Sequence, residues 1–142
     1  MARVDPAKVW SVNYRLLAEV IASVGPEISA LGVEMKELFL LAALDEHPYP
    51  AELAATLCMP KPTVTVNLKR IEAAGLLRRQ IDTADLRRHR LVLTPDGRKV
   101  MTRGMALLSE AFATRLGRLT AAQQSELQAL LEAMSDVPVH VR

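Results

Sequence analysis

Residues 61–98 read KPTVTVNLKRIEAAGLLRRQIDTADLRRHRLVLTPDGR. Near its start, Val64, Leu68 and Ile71 are spaced by four and three, which puts them on one side of a helix from Thr63 to Ala74, with Pro62 at its first position. Gly75 stands where such a helix closes in the left-handed conformation. Leu76 to Ile81 and Arg88 to Leu93 follow as the arms of a β-hairpin, joined by the polar tip Asp82 to Arg87. Thr94-Pro95-Asp96 then opens another helix, with an N-cap hydroxyl, a proline at N1 and an acid near the positive dipole end. Helix, glycine turn, arginine-studded hairpin and helix, in that order, make the plan of a DNA-reading winged helix.

Charge is concentrated in the same stretch. From Lys61 to Arg103 eleven Lys/Arg stand against Glu72, Asp82, Asp85 and Asp96, a net +7, so a chain with a formal total of +2 carries −5 elsewhere. Clustered cations of this kind are the electrostatic footprint of a polyanion binder.

Working outward toward the N-terminus, the turn Cys58-Met59-Pro60-Lys61 separates this helix from a short alanine-rich one, Ala51 to Leu57, preceded by Pro50. Helix, tight turn and helix form a helix-turn-helix. The loop Asp45 to Pro50 connects it to a helix over Val33 to Leu44. From Pro6 to about Val24 apolar residues form two helical stripes, Val9/Val12/Leu16/Val20 and Trp10/Tyr14/Leu17/Ile21, and Gly25-Pro26 is expected to break the helix. A helix apolar on two faces needs two partners, one in its own domain and one in a second subunit. Toward the C-terminus, the helix from Thr94 should run to about Leu116. Thr120 to Gln123 reads as a capping box for a last helix with Leu127/Leu130/Leu131/Met134 on one face, and Asp136 to Arg142 as a tail.

The 142 residues suffice for one core, and 50% hydrophobic with only 4% aromatic residues fits a mainly α protein with a small β-hairpin wing. No uncharged run is long enough to span a bilayer and no leader opens the chain, so a cytoplasmic protein is expected. One cysteine, Cys58, excludes an internal disulfide framework.

On the Thr63 to Ala74 helix, Thr63, Thr65, Val66, Lys69 and Arg70 occupy the side opposite the core stripe. The two threonines lie near the helix N-terminus, where hydroxyls and free N–H groups reach phosphate. Val66 at the middle of that face suits contact with thymine methyls, whereas an ordinary solvated face would hold it as a stray apolar residue. In the hairpin, five arginines lie between Arg78 and Arg90, with Asp82 and Asp85 to orient them, and Arg87 at the tip suits a narrow minor groove. Asp85 and Arg87 also make sense as a pair that holds the turn.

These elements together resemble the MarR family of bacterial transcription regulators, over Val9 to Met134 and most closely from Pro62 to Gly97. The matching pieces are Pro62-Thr-Val-Thr65, Lys69-Arg70-Ile71-Glu72 with Gly75-Leu76, Asp82-x-x-Asp85-x-Arg87, and Leu93-Thr94-x-x-Gly97. The resemblance implies one domain over residues 1–142, with a winged helix-turn-helix at 33–97 and dimerisation helices at 6–28 and 98–136. It also implies a homodimeric, ligand-responsive repressor binding a pseudo-palindromic operator in double-stranded DNA. Asp85 and Arg87 then take wing-tip roles and Thr63, Thr65 and Arg70 recognition-helix roles, with Val66, Lys69, Arg88 and Arg90 completing the DNA-binding set. Val66 departs from the arginine or polar residue of many members, which implies less guanine readout, and Leu86 replaces a residue that is often basic.

The resemblance further implies a small aromatic or phenolic effector, with Trp10, Tyr14, Phe39 and Phe112 as candidate lining residues; ordinary packing is the alternative for each. Cys58 reads as a small residue filling a tight turn. His47, His89 and His140 are scattered, with no spacing that suits a metal, and His89 reads as a further polar or phosphate contact. No cofactor, nucleophile-base pair or phosphate-cradling glycine loop is legible, so an enzyme is not expected. A winged helix used to bind protein and a metal-responsive regulator are the remaining alternatives.

Overall fold

The computed structural model describes residues 2–136. In chain order these form α1 (Pro6–Ala30), α2 (Met35–Ala43), α3 (Pro50–Thr56), α4 (Lys61–Ala73), β1 (Leu77–Ile81), β2 (His89–Leu93), α5 (Pro95–Leu116) and α6 (Ala121–Met134). The expected tail, with Pro138 and His140, lies outside the described residues beyond Asp136.

The core follows the helical period. Val64, Leu68 and Ile71 on α4 are buried against Leu38 and Leu41 of α2 and Leu53 of α3, and Leu77 and Leu91 bring the hairpin onto the same cluster. Burying each such side chain contributes on the order of 1.5–3 kcal/mol. Helix α5 lies across α1 and α2 and joins the cluster through Leu107. The two strands pair antiparallel from Leu77 opposite Leu93 to Ile81 opposite His89.

Two glycines set close approaches. A Cβ on Gly97, in the first turn of α5, would lie 1.8 Å from the Leu76 carbonyl oxygen, and one on Gly104 would lie 2.5 Å from Leu38 Cδ1. Thr94 fixes the same junction. Its hydroxyl donates to the Gly75 carbonyl (2.6 Å) and accepts from the Gly97 N–H (3.0 Å), as an N-cap should.

Three expectations are corrected. Helix α1 continues through Gly25-Pro26 to Ala30, and the left-handed residue that ends it is Gly32 (φ 86°). Pro26 lies at the exposed surface while Val24 and Ile28 on either side are buried. Their burial offsets an interior proline's cost of about 3 kcal/mol.

The two-stripe reading of α1 also changes. Val9, Trp10, Val12, Tyr14 and Leu17 are all exposed, and α1 meets its own chain through Val20, Val24 and Ile28. Before Val20 both stripes are thus largely open in the single chain, whereas beyond it Val20, Val24 and Ile28 face inward and Pro26 and Glu27 outward.

Finally, α4 begins at Lys61, not Thr63, because the Pro60 carbonyl accepts from the Val64 N–H (3.1 Å). Pro62 thus occupies the second helical position, where a missing N–H is equally harmless.

Helix α6 starts with the expected capping box, Thr120 and Gln123 exchanging side chain and backbone bonds. Gln124 donates to the Leu116 and Leu119 carbonyls and so ties α6 to the end of α5. None of α6's described residues is buried, and Leu130, Leu131 and Met134 stand exposed.

Candidate nucleic-acid interface

Helix α4 presents Thr65, Val66, Lys69 and Arg70 to solvent, with Thr63 half-buried at its edge. Val66, 59% exposed, sits mid-face as its spacing predicts. The Thr65 hydroxyl donates to the Lys61 carbonyl (3.0 Å). Asn67, which the sequence pattern does not single out, is buried and donates to the Thr63 carbonyl (2.8 Å), bracing the first turns from behind.

Arg70 is tied back into the protein. One of its nitrogens lies 3.2 Å from a carboxylate oxygen of Glu34 and another 3.6 Å from Glu37, whose carboxylate is almost wholly buried. Glu37 also accepts from the Glu34 N–H (3.0 Å), closing a capping box at the start of α2. The hydrogen bond to Glu34, then the charge of Glu37, push the Arg70 guanidinium above its ordinary range. A residue read from the sequence as a DNA contact thus also joins the reading helix to α2.

The wing tip is built from two aspartate turns. Asp82 accepts from the Ala84 N–H (2.8 Å), and Asp85 accepts from the Arg87 N–H (3.0 Å) and Nε (3.4 Å). Asp85 therefore does orient Arg87, whose side chain is 93% exposed. Among the described residues Asp82 forms no ion pair with an arginine; its carboxylate receives the Tyr49 hydroxyl instead. Arg79 pairs with Glu72 on α4 (2.9 Å), while Arg88, His89 and Arg90 are exposed. The pairing register puts Arg78 and Arg90 on the face opposite Arg79 and Leu91.

Tyr49 was not legible as a site residue. Besides bonding Asp82, it carries the Arg88 guanidinium over its ring, 3.6 Å from the centroid. The bond to Asp82, followed by burial, raises the Tyr49 phenol above its usual value. The same bond, then the Ala84 N–H, lowers Asp82. The available signal was an aromatic residue held between two prolines, Pro48 and Pro50.

The four aromatic candidates for an effector site do not converge within one chain. Trp10 and Tyr14 stack with centroids 6.3 Å apart and are largely exposed. Trp10 lines a cleft of about 810 Å³ with Leu130 and Leu131 of α6, and Phe112 lines another of about 750 Å³ between α5 and α6. Phe39 lines neither and is half-buried on α2.

Cys58 adopts a left-handed conformation (φ 52°) at the end of α3 with its thiol exposed, so it makes the tight turn without filling a buried space. Among the described residues no group of three His, Cys, Asp or Glu could hold a metal, and no single helix is long and apolar enough to cross a membrane.

An outward helix of hydroxyl, apolar and cationic groups beside an arginine-tipped hairpin defines a winged helix-turn-helix module. The family model for the MarR family matches residues 31–88. The HTH-type transcriptional repressor Rv2887 of Mycobacterium tuberculosis is 31% identical over 136 residues, spanning 94% of this chain and 98% of that protein. The crystal structure of Rv2887 in complex with DNA matches at a TM-score of 0.75 and 29% identity, covering 94% of this chain and 100% of that one. Its complex with salicylic acid matches at 0.74 and 30%, covering 95% and 100%. The chain belongs to the MarR family of winged helix-turn-helix transcriptional regulators.

Proposed function

We propose that the chain is a homodimeric transcriptional repressor that reads a pseudo-palindromic operator and leaves it when a small aromatic or phenolic effector binds. The observation that carries this reading is the shared outward presentation of Thr65, Val66 and Lys69 on α4 and of Arg87, Arg88 and Arg90 on the wing. Helix α4 enters the major groove and Arg87 the flanking minor groove. Residues 33–97 form the reading lobe and residues 6–28 and 98–136 the dimer lobe. The apolar faces left open at Trp10, Leu130, Leu131 and Met134 support that division. An aromatic acid is the effector class favoured by the salicylic acid complex of Rv2887. It acts by favouring a separation of the two α4 helices that misses the half-sites. The reading is that of a binder without catalytic chemistry, at work in the cytoplasm.

Selection of random duplex DNA by the purified protein at near-physiological salt tests this reading. The expected result is an inverted repeat with half-sites about one helical turn apart, retained by a dimer and released by salicylate. A folded dimer that enriches no sequence, with salicylate removed, overturns it in favour of a winged helix that binds protein.

A further inference from the structure

We propose that Tyr49, in the loop between α2 and α3, is a positioning residue for DNA binding: it preassembles the wing by holding Asp82 and Arg88. The proposal rests on the DNA-reading function above and adds to it a residue outside both the reading helix and the hairpin.

The loop is stiff where Tyr49 sits. Pro50 is the first residue of α3, and a residue preceding proline is confined to extended backbone, as Tyr49 is (φ −128°, ψ 143°). Pro48 before it is buried, and its carbonyl accepts from the Leu91 N–H (2.9 Å), fastening the loop to β2. At the loop's start Asp45 pairs with both terminal nitrogens of Arg98 on α5 (3.1 and 3.2 Å). The phenol is thus carried on a strap fixed at both the hairpin and the long helix.

Its two contacts act on different parts of the wing. The hydroxyl donates to the Asp82 carboxylate, which also caps the Ala84 N–H, so the phenol fixes the first aspartate turn of the tip. The ring face carries the Arg88 guanidinium. A stacked guanidinium keeps its N–H donors in the plane, pointing away from the ring, where phosphate oxygens can take them. Arg88 remains exposed, so stacking restricts its rotamers without withdrawing it from the DNA side. Less side-chain freedom is then lost on binding.

The test compares wild type, Tyr49→Phe, Tyr49→Ala, Arg88→Ala and the Tyr49→Ala/Arg88→Ala double variant. Each is measured against a fluorescent duplex carrying the selected inverted repeat over a range of salt, and amide hydrogen exchange of residues 82–88 is followed in the DNA-free protein. Tyr49→Ala should weaken binding roughly tenfold and make the log–log salt dependence shallower by about 0.9 for each phosphate that is no longer neutralised. Tyr49→Phe, which keeps the ring, should hold the wild-type slope with a smaller loss. The double variant should bind no worse than Arg88→Ala by more than the Asp82 contribution, a coupling that separate structural defects would not give. Exchange across the tip should quicken in Tyr49→Ala.

Wild-type exchange at residues 82–88 in Tyr49→Ala, or wild-type affinity and slope, overturns the proposal. A wild-type protein that retains no duplex overturns the DNA-reading function instead, and the exchange comparison still decides whether Tyr49 orders the wing.

Discussion

Arg70 of the reading helix lies 3.6 Å from the buried carboxylate of Glu37 on α2, so one cation faces both a protein acid and the side from which DNA would approach. The arginine is half-exposed, which makes the pair a weak contributor to stability and a competitor for phosphate. Glu37→Gln keeps an oxygen to accept the Glu34 N–H while removing the charge. Its expected effect is tighter duplex binding at low salt and a salt slope steeper by about 0.9, as Arg70 turns to a phosphate. Titrations at several salt concentrations check this; a slope equal to wild type would mean that Arg70 stays with Glu34.

Arg87 lies at the opposite extreme, held among the described residues only by Asp85 at the tip of the wing. Arg87→Ala should weaken operator binding and make its salt dependence shallower by about 0.9, with an unchanged dimer by sedimentation. Undiminished affinity would remove the wing tip from the interface.

Val66 is an exposed apolar residue midway along the outer face of α4. In Val66→Arg, two in-plane donors replace a surface that suits a thymine methyl, and preference should move toward guanine at one step of each half-site, by about 1–3 kcal/mol. Repeating the duplex selection with the variant reads this directly. An identical consensus would show that Val66 does not meet a base.

Gly97 and Gly25 separate close packing from backbone freedom. Gly97→Ala would place a methyl 1.8 Å from the Leu76 carbonyl oxygen, a backbone atom that cannot step aside, and should cost about 3 kcal/mol or more. A Cβ on Gly25, inside α1, meets nothing within 4 Å beyond its chain neighbours. The Pro26 ring that follows disfavours helical backbone for a residue with a Cβ, so the gain in helix propensity is offset and Gly25→Ala should change stability by less than about 1 kcal/mol. Thermal denaturation of both variants at equal protein concentration should lower the melting temperature far more for Gly97→Ala than for Gly25→Ala.

The Tyr49–Asp82 bond predicts a flat pH response around neutrality. Tyr49 is raised, so its contribution is complete below the unfolded phenol value of about 10 and is lost as pH rises through the folded one. Asp82 is lowered, so its contribution is complete above about 3.9 and is lost as pH falls through its folded value. Between those limits the bond gives neither wing stability nor duplex affinity a pH dependence. In an alkaline absorbance titration, Asp82→Asn should bring tyrosinate formation to lower pH, and an unshifted curve would show that the bond does not form in solution.

Which features were legible in the sequence follows from how far their causes reach along the chain. Val64, Leu68 and Ile71 announced the buried side of α4 because one helical period sets all three, and Thr94 and Gly75 marked boundaries through local backbone chemistry. Pro26 misled for the same reason: the proline rule is local, while the burial of Val24 and Ile28 that overrides it comes from packing of α1 on distant helices. Tyr49 and Asp82 are 33 residues apart, and Arg70 and Glu34 are 36 apart. Neither pair leaves a spacing signal, because each depends on how the loop and α2 are laid against the hairpin and α4. The aromatic residues were visible as types but not as a site, since Trp10 and Phe112 face clefts bordered by α6 that one chain leaves open.

The wing is a two-stranded sheet with unequal margins. Pro48 covers part of the β2 side, whereas β1 pairs only with β2 among the described residues and keeps its other edge in water. An open edge invites strand addition by another molecule, and charged side chains along it are a common deterrent. Arg78 and Arg79 stand on that strand, close to exposed Ile81, with exposed Leu86 at the tip. The arginines that favour a polyanion therefore also govern colloidal behaviour. Neutralising them to retarget or silence the reader would leave Ile81 and Leu86 beside an unguarded edge, so such variants should be limited by solubility before they are limited by affinity.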